Sequence, residues 1–512
     1  MKIIFRILIF LLISKSFNVK PQDLTQTIRG TIKDKETLQP IIGAKIEVLN
    51  IEPYQAAVTN FEGKFRLENV PVGRQTIVIT YIGYDLVVMR NIEINSKEKI
   101  LDIDMVESIQ VMEEVIVQGQ KKGETINKMT TVSARSFSVE ESKRYAGSLN
   151  DVSRMAQNFA GVQGGNDSRN DIIVRGNSPT GILYRMEGID IPNPNHFARF
   201  GTTGGPVSML NNNVLSNSDF LTAAFPAEYG NAIAGVFDLK MRAGNNEKHE
   251  FMFQFGFNGA ELMAEGPLLK KNGSSYLISY RYNDLTLFQK MGVNIGTNAV
   301  PKYQDVSVKL NFPHKKGVTS LFAIGGLSDI NLLAENVDTN DLYSIANSNT
   351  YFKSNVGVVG LNHKHRIGKS AYINISSAIQ SSFNYIKNDT VDTNFENPFL
   401  TYFNQSTISK WTNVAYYNRK ISAKHLLKMG IQSDFYFLSL HDSAYVKEFQ
   451  GIPVYSFVSL RSFNGNTLLI QPYVQYQYKP TPTITLNLGI HYQLLTLNNK
   501  GNIEPRAGFC GI

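Results

Sequence analysis

At 512 residues the chain is longer than one ordinary domain and implies several, each large enough to bury a core of its own. Its formal net charge of +8 would suit a nucleic-acid partner, but Lys and Arg are scattered singly, with no run longer than two or three, so a basic nucleic-acid face is excluded. Thirty Phe and 24 Tyr accompany a single Trp, and no stretch has enough consecutive apolar residues to cross a bilayer as a helix; any membrane role must fall to strands.

Residues 1–21 read as a secretory signal peptide: Lys2 and Arg6 precede an apolar run, Ile7 to Ile13, that is too short for a spanning helix. From 27 to 105 short β-type runs alternate with Gly and Pro punctuation. Ile46 and Val48, Phe65 and Leu67, and Ile77 and Ile79 alternate with polar neighbours, as strands with one face on a core must. Asn60-Phe61-Glu62-Gly63 and Val70-Pro71-Val72-Gly73 supply turns. With Gly43-Ala44 ahead of a strand and Tyr81-Ile82-Gly83-Tyr84 at the end, this order resembles the carboxypeptidase regulatory-like, transthyretin-type sandwich, in that family a non-catalytic accessory module. A carbohydrate-binding domain is the rival, but no aromatic cluster on one face argues for it.

Residues 106–130 form a linker in which Met112-Glu113-Glu114-Val115-Ile116-Val117 is a short apolar island among Glu, Lys and Gly. An extended β-branched peptide of this kind can add itself as an edge strand to a partner sheet, although it could equally be a strand of a neighbouring domain. Residues 131–245 are rich in Gly and Asn, with an amphipathic helix predicted near 140–159 and several short strands. Asp171-Ile172-Ile173-Val174-Arg175-Gly176 is followed by Leu183-Tyr184-Arg185-Met186-Glu187-Gly188-Ile189-Asp190-Ile191-Pro192, then by Phe225-Pro226-Ala227-Glu228-Tyr229-Gly230. These residues resemble the plug of TonB-dependent outer-membrane receptors, with Glu187 standing where that pattern usually has Asp.

From 246 to 512 the period becomes two over long runs. Phe251, Phe253, Phe255 and Phe257 alternate with Met252, Gln254, Gly256 and Asn258; Val306, Val308, Leu310 and Phe312 alternate with Asp305, Ser307, Lys309 and Asn311. Runs this long suit strands crossing a membrane, which need roughly 9–11 residues, better than those of a soluble sandwich. About a dozen strands are expected, whereas plugged outer-membrane transporters have about 22. The chain is therefore expected to be mainly β: a small sandwich, an α+β plug, and a partial antiparallel transmembrane β-barrel, with either a natural protein that continues or a truncated reading frame.

No P-loop, zinc-protease histidine pair, nucleophile elbow or usable cysteine is present, so an enzyme is not expected and no cofactor is assigned. His363 and His365 share one strand face as a possible metal pair, but without a third ligand they read as ordinary lumen or loop histidines. In the resemblance Arg175, Gly176, Glu187, Gly188, Asp190, Glu228, Tyr229 and Gly230 are structural residues of the plug. A plug in a wet lumen is expected to meet the wall through polar contacts rather than a greasy seam. Asn195, His196, Arg199 and Phe200 fall in an apical loop where they could touch a ligand. The resemblance further implies a Gram-negative outer-membrane location with the N-terminal domain and linker in the periplasm. It implies energised uptake of a small-molecule, glycan or peptide ligand, and a TonB energy-transducing complex pairing with a box at Glu114, Val115, Ile116 and Val117. A surface lipoprotein is a further possible partner besides outer-membrane lipid. The alternative is an outer-membrane adhesion or assembly protein that transports nothing.

Overall fold

The computed structural model describes residues 24–109, 127, 129–130, 133–137, 145, 147–148, 151–256, 259–284, 299, 301–336, 347–391, 397–449 and 452–511. The signal segment 1–21 and the box at 114–117 lie outside the described residues. The chain forms two compact units, one holding the N-terminal β-domain and the other the remainder from Lys121 onward.

The N-terminal domain is a sandwich of two sheets. One is ordered Lys64–Pro71, Thr25–Asp34, Lys99–Met105; the other Gln55–Val58, Lys45–Leu49, Gly73–Thr80, Val87–Ile94. Thr25–Asp34 pairs parallel with Lys99–Met105 and antiparallel with Lys64–Pro71. The alternation read from the sequence is realised: Ile46, Val48, Phe65, Leu67, Ile77 and Ile79 all belong to one buried cluster. At the first turn the Asn60 side-chain oxygen accepts the backbone N–H of both Glu62 and Lys64 at 2.9 Å, an Asx turn that explains Asn at that position.

In the second unit, a five-stranded sheet runs in the order Ile189–Ile191, Ile182–Met186, Gly235–Leu239, Ser218–Leu221, Ala134–Phe137. Phe220 and Phe237 stack at 4.3 Å and Tyr184 and Phe237 at 5.2 Å, which fills its core. The helix predicted near 140–159 is shorter within the described residues, covering Val152–Ala156. It starts there because Asp151 caps it, accepting the backbone N–H groups of Ser153 and Arg154.

Around this domain curves a twelve-stranded antiparallel sheet, each strand paired with the next in sequence, from Glu250–Gly256 to Lys500–Gly511. Among the described residues nothing pairs the first strand with the last, so the sheet is open. Its strands reach 20 residues in Ser348–Ile367 and 30 in Ile452–Thr481, ample to cross a bilayer when tilted. Alternation sorts the faces: in Lys302–His314, Asp305, Ser307 and Lys309 are buried against the central domain while Val306 looks out. The outward row continues as an apolar band through Phe253, Ile278, Val359, Leu361, Ile379, Phe437 and Leu488, all exposed. Arg281 likewise lies on the inner face, against Asp305.

An outward row this apolar suits lipid, where a cation near the middle of one strand should be costly. Val359→Arg is expected to destabilise the wall by about 2–4 kcal/mol, read as a lower temperature at which the purified protein loses its folded, fast-migrating form on unheated gels. The buried native Lys309 shows that the same charge is tolerated on the inner face.

Candidate functional site

The central domain meets the wall along a seam of buried charges. Its anchor is the strand Ile182–Met186, apolar except for Arg185, which is 3% exposed. Arg185 lies 3.6 Å from Asp190 and 3.9 Å from Glu228, and its guanidinium sits 5.0 Å from the centre of the Tyr229 ring. It also donates to the Glu228 backbone carbonyl at 3.2 Å. Glu228 and Tyr229 are thereby held by Arg185, and Tyr229 donates in turn to Asp238 at 2.7 Å.

From the wall, Lys428 approaches Glu228 at 2.5 Å and Gln475 donates to its other carboxylate oxygen at 3.1 Å, to which Asn127, ahead of the plug sheet, donates at 2.8 Å. Burial alone would raise the Glu228 carboxyl; the Lys428 ammonium and Arg185 guanidinium outweigh it and hold the group down at about 2. Asp190 goes the other way, because burial lifts its carboxyl in spite of Arg185 and Lys410 nearby. Gln432 donates to Asp190 Oδ2 at 2.9 Å, and Lys410 and Gln380 donate to its backbone carbonyl at 3.1 Å each.

Glu187 explains its own departure from the expected Asp. With Gly188 it makes the two-residue turn between Ile182–Met186 and Ile189–Ile191, at φ 54° and 82°. Such a hairpin turn needs positive φ at both central residues and favours Asn-Gly or Asp-Gly. The longer Glu side chain instead reaches the wall: Lys309 Nζ lies 2.7 Å from Oε2, while the backbone N–H of Met241 donates to Oε1 at 2.8 Å. These partners overcome burial and keep the carboxyl below its ordinary range. Arg175 and Gly176 form a similar turn at φ 51° and 79°, but Arg175 stays within the domain, donating to Ser133 Oγ at 2.8 Å. At Gly230 a side chain has no room: a Cβ would fall 1.9 Å from Gln471 Oε1.

The four residues expected to face a ligand separate into two pairs. Asn195 and His196 are buried, at 1% and 0% exposure. Asn195 accepts from Asn170 at 2.7 Å and donates to Asn193 at 2.6 Å. His196 Nε2 lies 2.9 Å from Asp305 of the wall, which Arg281 also engages at 2.7 Å. Burial holds the His196 imidazole below its ordinary range, so it serves Asp305 as a hydrogen-bond donor and Arg281 supplies the opposing charge. Arg199 is exposed, its guanidinium 5.8 Å from the Phe352 ring centre, and Phe200 is half-buried with its backbone N–H bonded to Asn384 at 2.7 Å.

The expectation of a purely polar seam needs correction. One apolar cluster runs unbroken from Phe220, Phe237 and Met186 of the central domain into Phe322, Val358 and Val414 of the wall. These inward positions of the wall share the cluster with Ile189 and Ile191 of the sheet's edge strand. Arg185, Lys428 and Asp305 were not singled out as site residues from the sequence. Arg185 left one trace, a lone cation in an apolar strand; the wall residues left none, because their plug partners are 109 positions away for Asp305 and 200 for Lys428.

Replacing Glu228 by Gln would leave two buried cations facing a neutral amide. Glu228→Gln is expected to weaken the seam by about 3–5 kcal/mol, seen as faster protease cleavage of the central domain in the folded protein. The Glu228 carboxyl ionises lower in the folded state than its ordinary 4.5, so its stabilisation is complete above that pH and is lost as pH falls towards about 2. The stability difference between the native protein and the Gln variant should therefore shrink over that interval.

Comparison with known proteins accords with this architecture. Residues 28–117 match the CarboxypepD_reg-like domain, a match that includes the Glu114–Val117 segment, and residues 126–236 match the TonB-dependent Receptor Plug Domain. No curated protein gives a significant sequence match. Among solved structures, the pyoverdine outer membrane receptor FpvA from Pseudomonas aeruginosa PAO1 is similar with a TM-score of 0.57 at 14% identity, over 75% of this chain and 61% of that one. The siderophore receptor PirA from Acinetobacter baumannii gives 0.51 at 14% identity over 75% and 59%. The outer membrane transporter YddB from Escherichia coli gives 0.51 at 13% over 73% and 58%. The chain thus spans about three-fifths of the length of these structures. A regulatory-like sandwich, a segment that matches the TonB-dependent receptor plug and outward-apolar strands follow one another in this chain, which makes it mainly β and gives it the fold of these solved outer-membrane receptors over the part they share.

Proposed function

We propose that this chain is the plug-bearing part of an energised import receptor, which takes a small-molecule, glycan or peptide ligand across the outer membrane. What supports the reading most is the seam: the plug is fastened to the wall by ion pairs through Glu187–Lys309 and Glu228–Lys428. Buried pairs of this kind hold a unique position while contributing little net stability, because desolvation offsets their attraction. Water entering a seam of charges can take over each partner in turn, which a continuous apolar interface would not permit.

The outer membrane holds no ATP, so the work of moving the plug has to arrive from elsewhere. In this proposal a TonB energy-transducing complex pairs in the periplasm with Glu114, Val115, Ile116 and Val117 by strand addition and pulls on the chain ahead of the plug. Arg199 and Phe200, the more accessible of the expected ligand residues, are assigned to the ligand side; Asn195 and His196 position their loop. The siderophore named for PirA and the pyoverdine named for FpvA are candidate ligands, and a surface lipoprotein is a further candidate partner.

Deleting 113–117 is expected to abolish uptake while ligand binding and membrane insertion persist, measured with intact cells and with purified protein; uptake at the native rate would sink the box assignment. Collapsing the proton gradient should stop ligand accumulation within minutes. Accumulation indifferent to the gradient would favour the adhesion or assembly alternative.

A further inference from the structure

His363 and His365 lie on the strand Ser348–Ile367, two residues apart on one face, and the sequence offered them no third ligand. Folding supplies one from a strand two positions away. His314 ends the strand Lys302–His314, and Gly317 opens the strand between; Gly317 is in register with His314 on one side and His365 on the other. Because Gly317 carries no side chain, nothing stands between the two imidazoles, and a Cβ there would lie 3.2 Å from the His314 ring and 1.9 Å from the Lys364 carbonyl oxygen. The three rings gather with centroids 5.5–5.9 Å apart, and one ligand nitrogen from each lies within 4.8 Å of the others.

All three belong to the outward face, beside Leu310 and Leu361 of the apolar band, at the end of the wall closed by the short turn Lys315-Lys316. The sequence-based placement in the lumen or a loop is thereby corrected. We propose that His314, His363 and His365 bind a divalent transition cation of the Zn²⁺, Cu²⁺ or Ni²⁺ class, clipping three successive strands at the rim of the barrel.

Imidazole suits these borderline ions, and three histidines with an open fourth position are an established donor set. Metal–nitrogen bonds of about 2.0–2.1 Å require the nitrogens to draw together by roughly an ångström. His314 is exposed and sits at a strand end, so it is the ring with freedom to move. Its Nδ1 is 3.4 Å from the Lys316 backbone N–H, a long contact that yields readily. His363 is already oriented: Nδ1 is 2.8 Å from Thr319 Oγ1, which leaves Nε2 for a metal, the outer-shell arrangement usual for ligating histidines. The neighbouring Lys315 and Lys316 disfavour a cation, so binding in the micromolar range is expected rather than tighter.

The test is Cu²⁺ titration of the full chain, purified in detergent with a tag free of histidine and followed by electron paramagnetic resonance. The expected result is one equivalent bound with a nitrogen-rich spectrum. His314→Gln, His363→Gln and His365→Gln should each weaken binding at least about tenfold, while His249→Gln, whose ring contacts Tyr276 instead, leaves it unchanged. Binding that is absent in the native protein, or unaltered in all three variants, overturns the site. Loss in the His363 and His365 variants without loss in His314→Gln overturns the three-ligand set. Because His314 is exposed at a turn, that variant keeps the question answerable if a mid-strand replacement fails to fold.

Discussion

A backbone that crosses lipid must pair every N–H and C=O within the protein, and the rest of this structure follows from that requirement. Strand-to-next-strand pairing meets it between each of twelve consecutive strands, with only the outer edges of the first and last outside that pairing among the described residues, and the side chains then have only two destinations. Residues facing out are apolar, as Phe253 and Val359 are, and residues facing in are free to be polar or charged. The inner face of the wall is thus a surface on which Lys309, Lys428 and Asp305 can be kept at small cost. It is these groups that recognise the plug.

The plug's sequence is shaped by that wall as much as by its own sheet. Arg185 would be costly in an isolated five-stranded sheet, since a guanidinium in an apolar strand needs paired carboxylates close by. Asp190 and Glu228 provide them from within the plug, and Lys428 brings Glu228 to balance. Glu187 adopts positive φ at some conformational cost compared with Asp or Asn. In return its extra methylene group carries the carboxylate to Lys309. The departure from the family pattern and the wall contact are therefore one fact seen twice.

Much of this was legible in the sequence because it is local. Period-two alternation identified the core faces of the sandwich and the inner and outer faces of the wall, and turn residues such as Asn60 and Gly188 act on their immediate neighbours. What escaped depends on distance along the chain. The Glu228–Lys428 pair joins residues 200 positions apart, and His314 reaches His363 only because a glycine-headed strand folds between them. Among the described residues only part of the predicted helix is helical, for a related reason: amphipathic spacing marks a stretch able to be helical, whereas Asp151 decides where the segment Val152–Ala156 begins. The apolar part of the seam was missed since inward alanines, valines and phenylalanines are indistinguishable in sequence from outward ones in an adjoining register.

The mixed character of the seam bears on how a plug could move. A purely apolar interface would resist water along its whole length, and a purely polar one would fix no register. Here the cluster through Phe237, Phe322 and Val358 anchors one region, while the Glu228 and Glu187 pairs tie others to different strands of the wall. Breaking every buried pair together would leave several uncompensated charges, each costing several kcal/mol. Opening one region at a time lets water reach each charge as its partner departs, so the greatest unfavourable state holds one exposed pair rather than all of them. Under the proposed pulling mechanism, the seam therefore favours stepwise remodelling of the plug beside the apolar anchor over expulsion of the whole domain.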